Sequence, residues 1–178
     1  MDDYFDVISQ LKCSKRGGCK VPHKAIYLLA ILDMIDFEWI TDRKFHVSHE
    51  LVNTFEWNWK RYVGHTPFFT CNIWNPIYHM EQDVVRYKVR PEYEKVKPAC
   101  VERCQQVFEY LEIPSDLWTL LQDENYRKDI RLLLIDKYLI KKRTKKTISS
   151  SSVCTFDCKY IVPHGCIGLG VKTFSPLL

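Results

Sequence analysis

Apolar residues recur at helical spacing most strongly after Pro22, where Ile26, Leu29, Ala30, Leu32 and Ile35 predict a buried central helix ending near Phe37. Pro22 suits the first turn, because the N–H that proline lacks would have no partner there. Upstream, Phe5, Ile8 and Leu11 predict a short helix over Asp2 to Leu11, capped by Asp2 or Asp3 and lying across the central helix. A turn at Thr41-Asp42 and a short strand through Val47 follow. Ser48 then caps a helix with Leu51, Val52, Phe55 and Trp59 inward. Gly64 to Asn75, irregular and rich in aromatic and polar residues, reads as a loop of the kind that carries function.

Pro76 to Met80 and Val84 to Val89 read as two short strands across a Gln82-Asp83 turn. The second alternates Val85, Tyr87 and Val89 with Arg86, Lys88 and Arg90, one face apolar and the other cationic. Pro98 to Leu111 reads as a helix with Val101, Cys104, Val107 and Phe108 inward. Pro114 breaks it and Ser115 caps the next, and a last helix starts at Glu124 or Asn125 and runs through Ile130, Leu133, Leu134 and Tyr138. Past Ile140 the stretch KKRTKKTISSSS is basic and serine-rich, and no periodicity follows it. The expected organisation is one domain over 1–143, then a linker and a poorly ordered tail over 144–178.

Composition adds bounds. The 178 residues are 46% hydrophobic and 13% aromatic, enough for one core of ordinary size. A formal charge of +4 is only mildly basic, but the cations cluster at Lys12 to Lys20, Lys60-Arg61, Arg86 to Arg90 and Lys137 to Lys146. The acidic start is unlike a signal peptide and no run reaches the roughly 18 apolar residues of a membrane span. The expectation is a cytoplasmic protein with reduced thiols and no membrane partner. Cys154, Cys158, His164 and Cys166, or the pair Cys100 and Cys104, are either zinc ligands or ordinary thiols, and the expectation is no metal and no cofactor.

The basic loop Lys12 to Lys20 feeds directly into the central helix, whose positive dipole end favours an anion. The loop is either a phosphate cradle or a solvated connection. His23, on the first turn, either meets a phosphate or fixes the loop by bonding a carbonyl or carboxylate. Phosphate contacts fall to Lys15, Lys24, Lys60, Arg61, Arg86 and Lys88, and base edges to Arg16, Lys20 or Asn75. An HNH nuclease site needs two histidines and an asparagine, whereas no asparagine follows Asn125 and only His164 follows His79. Catalysis by this chain is therefore not expected.

Three blocks in order, GGCKVPHKAIYLLAILDMI, NPIYHM and LWTLLQDENYRKDIRLLLIDKYL, resemble the N-terminal recognition domain of bacterial HNH restriction endonucleases over residues 1 to 143. That family includes the sulfur-binding domain that reads phosphorothioate-modified DNA. The resemblance implies an α+β fold, a helix-rich single domain with short antiparallel strands, similar to a winged-helix DNA reader in bacterial defence. It puts Gly18, Cys19 and Lys20 against DNA and Pro76 against the sulfur. Asn75 and His79 stand beside Pro76 where sulfur readers carry an aromatic and a small apolar residue. One sulfur on a proline ring gains about what burying a methylene does, roughly 0.8 kcal/mol. The implied partners are double-stranded DNA, with or without phosphorothioate, and a separate nuclease subunit. The alternatives are a protein-interaction module that docks a nuclease or other acidic partner through its basic face, and a metal-dependent nuclease with an unrecognised site.

Overall fold

The computed structural model describes residues 4–16, 19–66 and 68–139, all within a compact unit spanning 1–142. In order come α1 (Tyr4–Ser9), β1 (Lys15–Arg16), β2 (Cys19–Lys20), α2 (His23–Asp36), β3 (Lys44–Phe45) and α3 (His49–Tyr62). They are followed by α4 (Trp74–His79), β4 (Arg86–Val89), α5 (Val101–Val107), β5 (Phe108–Glu112), α6 (Ser115–Leu120) and α7 (Glu124–Leu134), which ends in a π turn, Ile135–Leu139. β1 and β2 form a small antiparallel hairpin, and the order β3-β5-β4 makes a three-stranded antiparallel sheet. The domain is thus α+β and helix-rich, the expected class.

α2 is the hub: 12 of its 14 residues are buried, because α3, α4 and α7 all pack on it. Its sequence shows an apolar stripe, yet Ala25, Tyr27, Leu28 and Ile31 are buried as well, so the helix is covered all round. Truncating a side chain such as Leu29, fully buried here, costs about 2–5 kcal/mol. The one carboxylate in this buried face is satisfied from both sides. Asp33 accepts from Asn58 of α3 at 2.5 Å and from Arg131 of α7 at 2.5 Å. Arg131 and Arg127 also bind Asp36, at 2.8 and 2.5 Å, which staples α7 to the C-terminal turn of α2. There the chain turns through Glu38, whose φ of 58° is left-handed, while Trp39 and Ile40 donate back to the Met34 carbonyl.

Several expected elements hold. Ser48 caps α3, accepting from the Leu51 N–H at 3.2 Å. β4 alternates as read, with Arg86 and Lys88 exposed and Tyr87 and Val89 half-buried. Cys104 is fully buried in the core. The expected placement of α1 across the central helix is corrected: α1 packs chiefly on α7, and only its Ile8 borders a small apolar space shared with Leu28 and Leu32 of α2.

Three further readings are corrected. Ser115 does not cap α6: Pro114 holds the cap position, and the Ser115 hydroxyl, already inside the first turn, donates to Asp116. Pro76 to Met80 does not form a strand: Trp74–His79 is helix α4, and Ile73, Ile77 and Met80 are its buried row at i, i+4 and i+7. Pro76 sits in the first turn, where its ring costs no hydrogen bond. Pro98 to Leu111 is not one helix either. α5 stops at Val107 and Phe108–Glu112 becomes β5, the central strand, whose Leu111 lies between Phe45 and Tyr87. The expected boundary near 143 and the tail lie outside the described residues.

Replacing Asn58 by Ala leaves an Asp33 oxygen without its donor between α2 and α3. The expected loss is about 1–3 kcal/mol in urea unfolding, and a change below about 0.5 kcal/mol would contradict the bridging role.

Candidate nucleic-acid interface

The first turn of α2 is the meeting point of three segments that are far apart in sequence. His23 Nε2 lies 2.8 Å from the Thr70 carbonyl, and its ring packs on Trp59 of α3 with centroids 4.7 Å apart. A carbonyl only accepts, so Nε2 carries the proton and Nδ1 keeps the lone pair, buried and without a partner among the described residues. His23 thus ties the loop before α4 to the helix. This is the loop-fixing role, one of the two open from sequence. Lys24 binds Glu81 at 2.7 Å, and the same carboxylate oxygen accepts from the Lys12 N–H at 2.9 Å. Glu81 therefore joins the segment after α4 to the one before β1.

These ties leave a cleft of about 610 Å³ between them. Lys12, Lys15 and Arg16 come from the basic segment, Val21, His23 and Lys24 from the start of α2, and Phe69, Thr70 and Asn72 from the loop. Asn75, Pro76 and His79 of α4 complete the lining, along with Cys13 and Ser14. No side chain caps the N-terminus of α2 and no acid lies in its first turn. An anion entering the cleft therefore meets the positive end of a 14-residue helix, where the nearby Glu81 carboxylate is already paired with Lys24.

Seven of the residues singled out from sequence converge here: Lys15, Arg16, His23, Lys24, Asn75, Pro76 and His79. The others do not. The Lys20 ammonium sits over the Tyr138 ring, 4.9 Å from its centroid, because the hairpin turns it toward the end of α7. Arg86 and Lys88 lie on the exposed face of β4, while Tyr87 on its other face stacks against Tyr78 of α4. The pleat thus directs the two cations away from α4 and the cleft. Cys19 contributes backbone to β2, and Gly18 lies outside the described residues. Lys24 lines the cleft with its charge already held by Glu81. Pro76 lines it too but is buried overall, which leaves a narrow apolar surface for any sulfur.

Sequence reasoning missed Phe69 and Asn72 as individual residues, although the loop that carries them was marked as functional. It also missed Glu81, which nothing in sequence sets apart from Gln82 and Asp83 in the polar turn between Met80 and Val84. Burial pushes the Cys13 thiol up, chiefly by desolvation, so it rests protonated and unreactive at neutral pH. Among the described residues, no three His, Cys, Asp or Glu side chains group to hold a metal ion, and no helix is long and apolar enough to cross a membrane. The zinc reading of the tail cysteines lies outside the described residues.

No model of a known protein family matches this chain, and no curated protein matches it.

Desolvation holds the pKa of His23 below its ordinary 6.5, only partly opposed by the Thr70 hydrogen bond. Desolvation followed by Lys97 and Lys24 does the same to His79. A histidine with a depressed folded pKa favours folding above the unfolded value and loses that contribution as pH falls toward the folded one. Stability is therefore expected to fall as pH drops below about 6.5. In His23→Gln, which keeps a donor for Thr70, that fall should be shallower; an unchanged slope in urea titrations at pH 7 and 5 would rule out His23 as its source.

Proposed function

We propose that this chain binds duplex DNA through the cleft at the start of α2, with Lys12, Lys15 and Arg16 on the phosphate backbone and Asn72, Asn75 and His79 toward the bases. The observation that carries this reading is the convergence of Arg16, His23, Lys24, Asn75, Pro76 and His79, from two distant stretches of sequence, on one cleft. Cations at the mouth, an uncapped helix N-terminus and amide side chains inside together suit a phosphodiester flanked by base edges. The resemblance to restriction-enzyme recognition domains supports the same partner and, with it, a winged-helix-like reader acting in bacterial defence and in the cytoplasm. On this reading the chain recognises and does not cut.

Phosphorothioate is the sharper form of the proposal. Sulfur is larger, softer and less well hydrated than oxygen, and Pro76 is the apolar surface available to it. Because Pro76 is largely buried, its contribution is about the 0.8 kcal/mol of one methylene, or roughly fourfold. A second reading, docking of a nuclease or other acidic partner, draws on a different surface: Trp57 of α3 is 53% exposed, with the Arg61 guanidinium 5.2 Å from its ring centroid. Substitution at Trp57 separates the two, since it lies outside the cleft lining.

Gel shifts of matched duplexes with and without a single phosphorothioate test both levels of the proposal. Binding is expected to weaken with salt at a log–log slope of about −2.7 for three phosphate contacts. The modified duplex should bind only about fourfold tighter. Equal affinities remove the sulfur reading, and no binding to either duplex at low salt removes the DNA reading. Arg16→Ala should weaken binding markedly while Lys20→Ala and Lys88→Ala leave it nearly unchanged; the reverse order would show that the cleft is not the contact surface.

A further inference from the structure

We infer that the cleft receives a single nucleobase swung out of the duplex, preferentially one bearing an exocyclic amino group, and that Phe68 fills the gap left in the stack. This rests on the DNA-binding proposal above and goes beyond it. A backbone phosphate needs only a row of donors at a surface and would leave most of the cleft empty. The volume of about 610 Å³ instead falls within the range of roughly 300–1,000 Å³ usual for pockets that enclose a small ligand. Its walls also suit a flat heterocycle. Val21, Phe69 and Pro76 supply apolar surface, and Asn72 and Asn75 supply hydrogen-bonding edges.

Asn72 gives the preference its direction. Its amide nitrogen donates to the Thr70 carbonyl at 3.3 Å, which fixes the side chain and leaves Oδ1 to face other partners. That oxygen is buried with no hydrogen-bond partner among the described residues, so a rotation of the amide that turns it into the cleft would let an arriving donor satisfy it. The amino group of adenine or cytosine is such a donor. So is that of guanine, whereas thymine offers only its ring N3–H.

Phe68 is the independent observation. It is 53% exposed beside a cleft lined by the next residue, Phe69. The Arg16 guanidinium donates to the Phe68 carbonyl at 3.4 Å, and the Phe68 N–H donates to Thr66 Oγ1 at 3.2 Å. These bonds fix the Phe68 backbone next to the cation assigned to the phosphates, and its side chain is exposed there. An exposed aromatic beside a base-sized pocket and a phosphate-binding arginine has the arrangement of an apolar wedge, which enters the stack as the displaced base leaves it.

The experiment compares the full chain on a fully paired duplex and on the same duplex with one central mismatch, labelled with 2-aminopurine at the mismatched position. Unpairing costs less at a mismatch, so the mismatched duplex is expected to bind roughly tenfold tighter or more, and 2-aminopurine emission should rise on binding. Phe68→Ala, at an exposed position that leaves the core intact, should abolish both effects, whereas Trp57→Ala, outside the cleft lining, should leave both in place. Asn72→Leu should erase a preference for adenine or cytosine over thymine at the mismatched position. Binding to both duplexes with equal affinity and unchanged emission would overturn base extrusion and leave DNA binding standing. Failure to bind either at low salt would overturn the DNA reading, and this inference with it.

Discussion

A helix buried around its whole circumference leaves no polar group free to turn to water, and most of this structure follows from that constraint on α2. Asp33 sits in the middle of the problem. A lone buried carboxylate would cost several kcal/mol, so its neighbours are fixed in kind: an amide from α3 and a guanidinium from α7. The same requirement acts at the other end of the helix. His23 is buried, and its one proton-bearing nitrogen finds the Thr70 carbonyl, which pins an otherwise irregular loop. The cleft is therefore not an accident of loose loops. It is bounded by the bonds that satisfy the first turn of α2.

That origin also determines which charges are available to a ligand. Lys24 is half-buried on the same turn, and a carboxylate from Glu81 compensates it. Its role is to join segments, and a phosphate would have to compete with an ion pair already in place. Lys20 is held by the Tyr138 ring, whose hydroxyl in turn lies 2.7 Å from the Ile8 and Ser9 carbonyls. Lys15 and Arg16, exposed on the first strand of the hairpin, carry no such structural duty among the described residues beyond the weak Arg16 contact to Phe68. Availability therefore separates cations that sequence alone leaves equivalent.

The central helix, the Ser48 cap, the buried Cys104 and the alternation of β4 were legible because each is a local pattern with a local cause. Two misread elements show where local pattern runs out. In Trp74 to Met80 a proline and aromatic residues argue for an extended segment, and the row Ile73, Ile77 and Met80 is too short for its periodicity to outweigh them. In Val101 to Glu112 helical spacing continues through Phe108, but the chain leaves the helix to pair with β3 and β4, partners that no window of sequence contains. The candidate site divides in the same way. Its residue types were readable, and so were the two stretches that supply them. Which cations face the cleft depends on hairpin twist and strand pleat, and the link through Glu81 depends on a contact between residues 69 positions apart.

Magnitudes decide what such a cleft discriminates best. The sulfur contact on Pro76 is limited by area to about 0.8 kcal/mol, whatever the fit, because the ring is largely buried. A hydrogen-bonded base edge is worth about 1–3 kcal/mol against the wrong base. A buried acceptor left unmet when that base is absent costs a similar amount. The polar edge made by Asn72 and Asn75 therefore outweighs the apolar surface of Pro76 in any recognition that this cleft performs. Under the proposed function, a modified backbone would add only a modest increment to a preference set by the base, and Asn75 would belong to that preference.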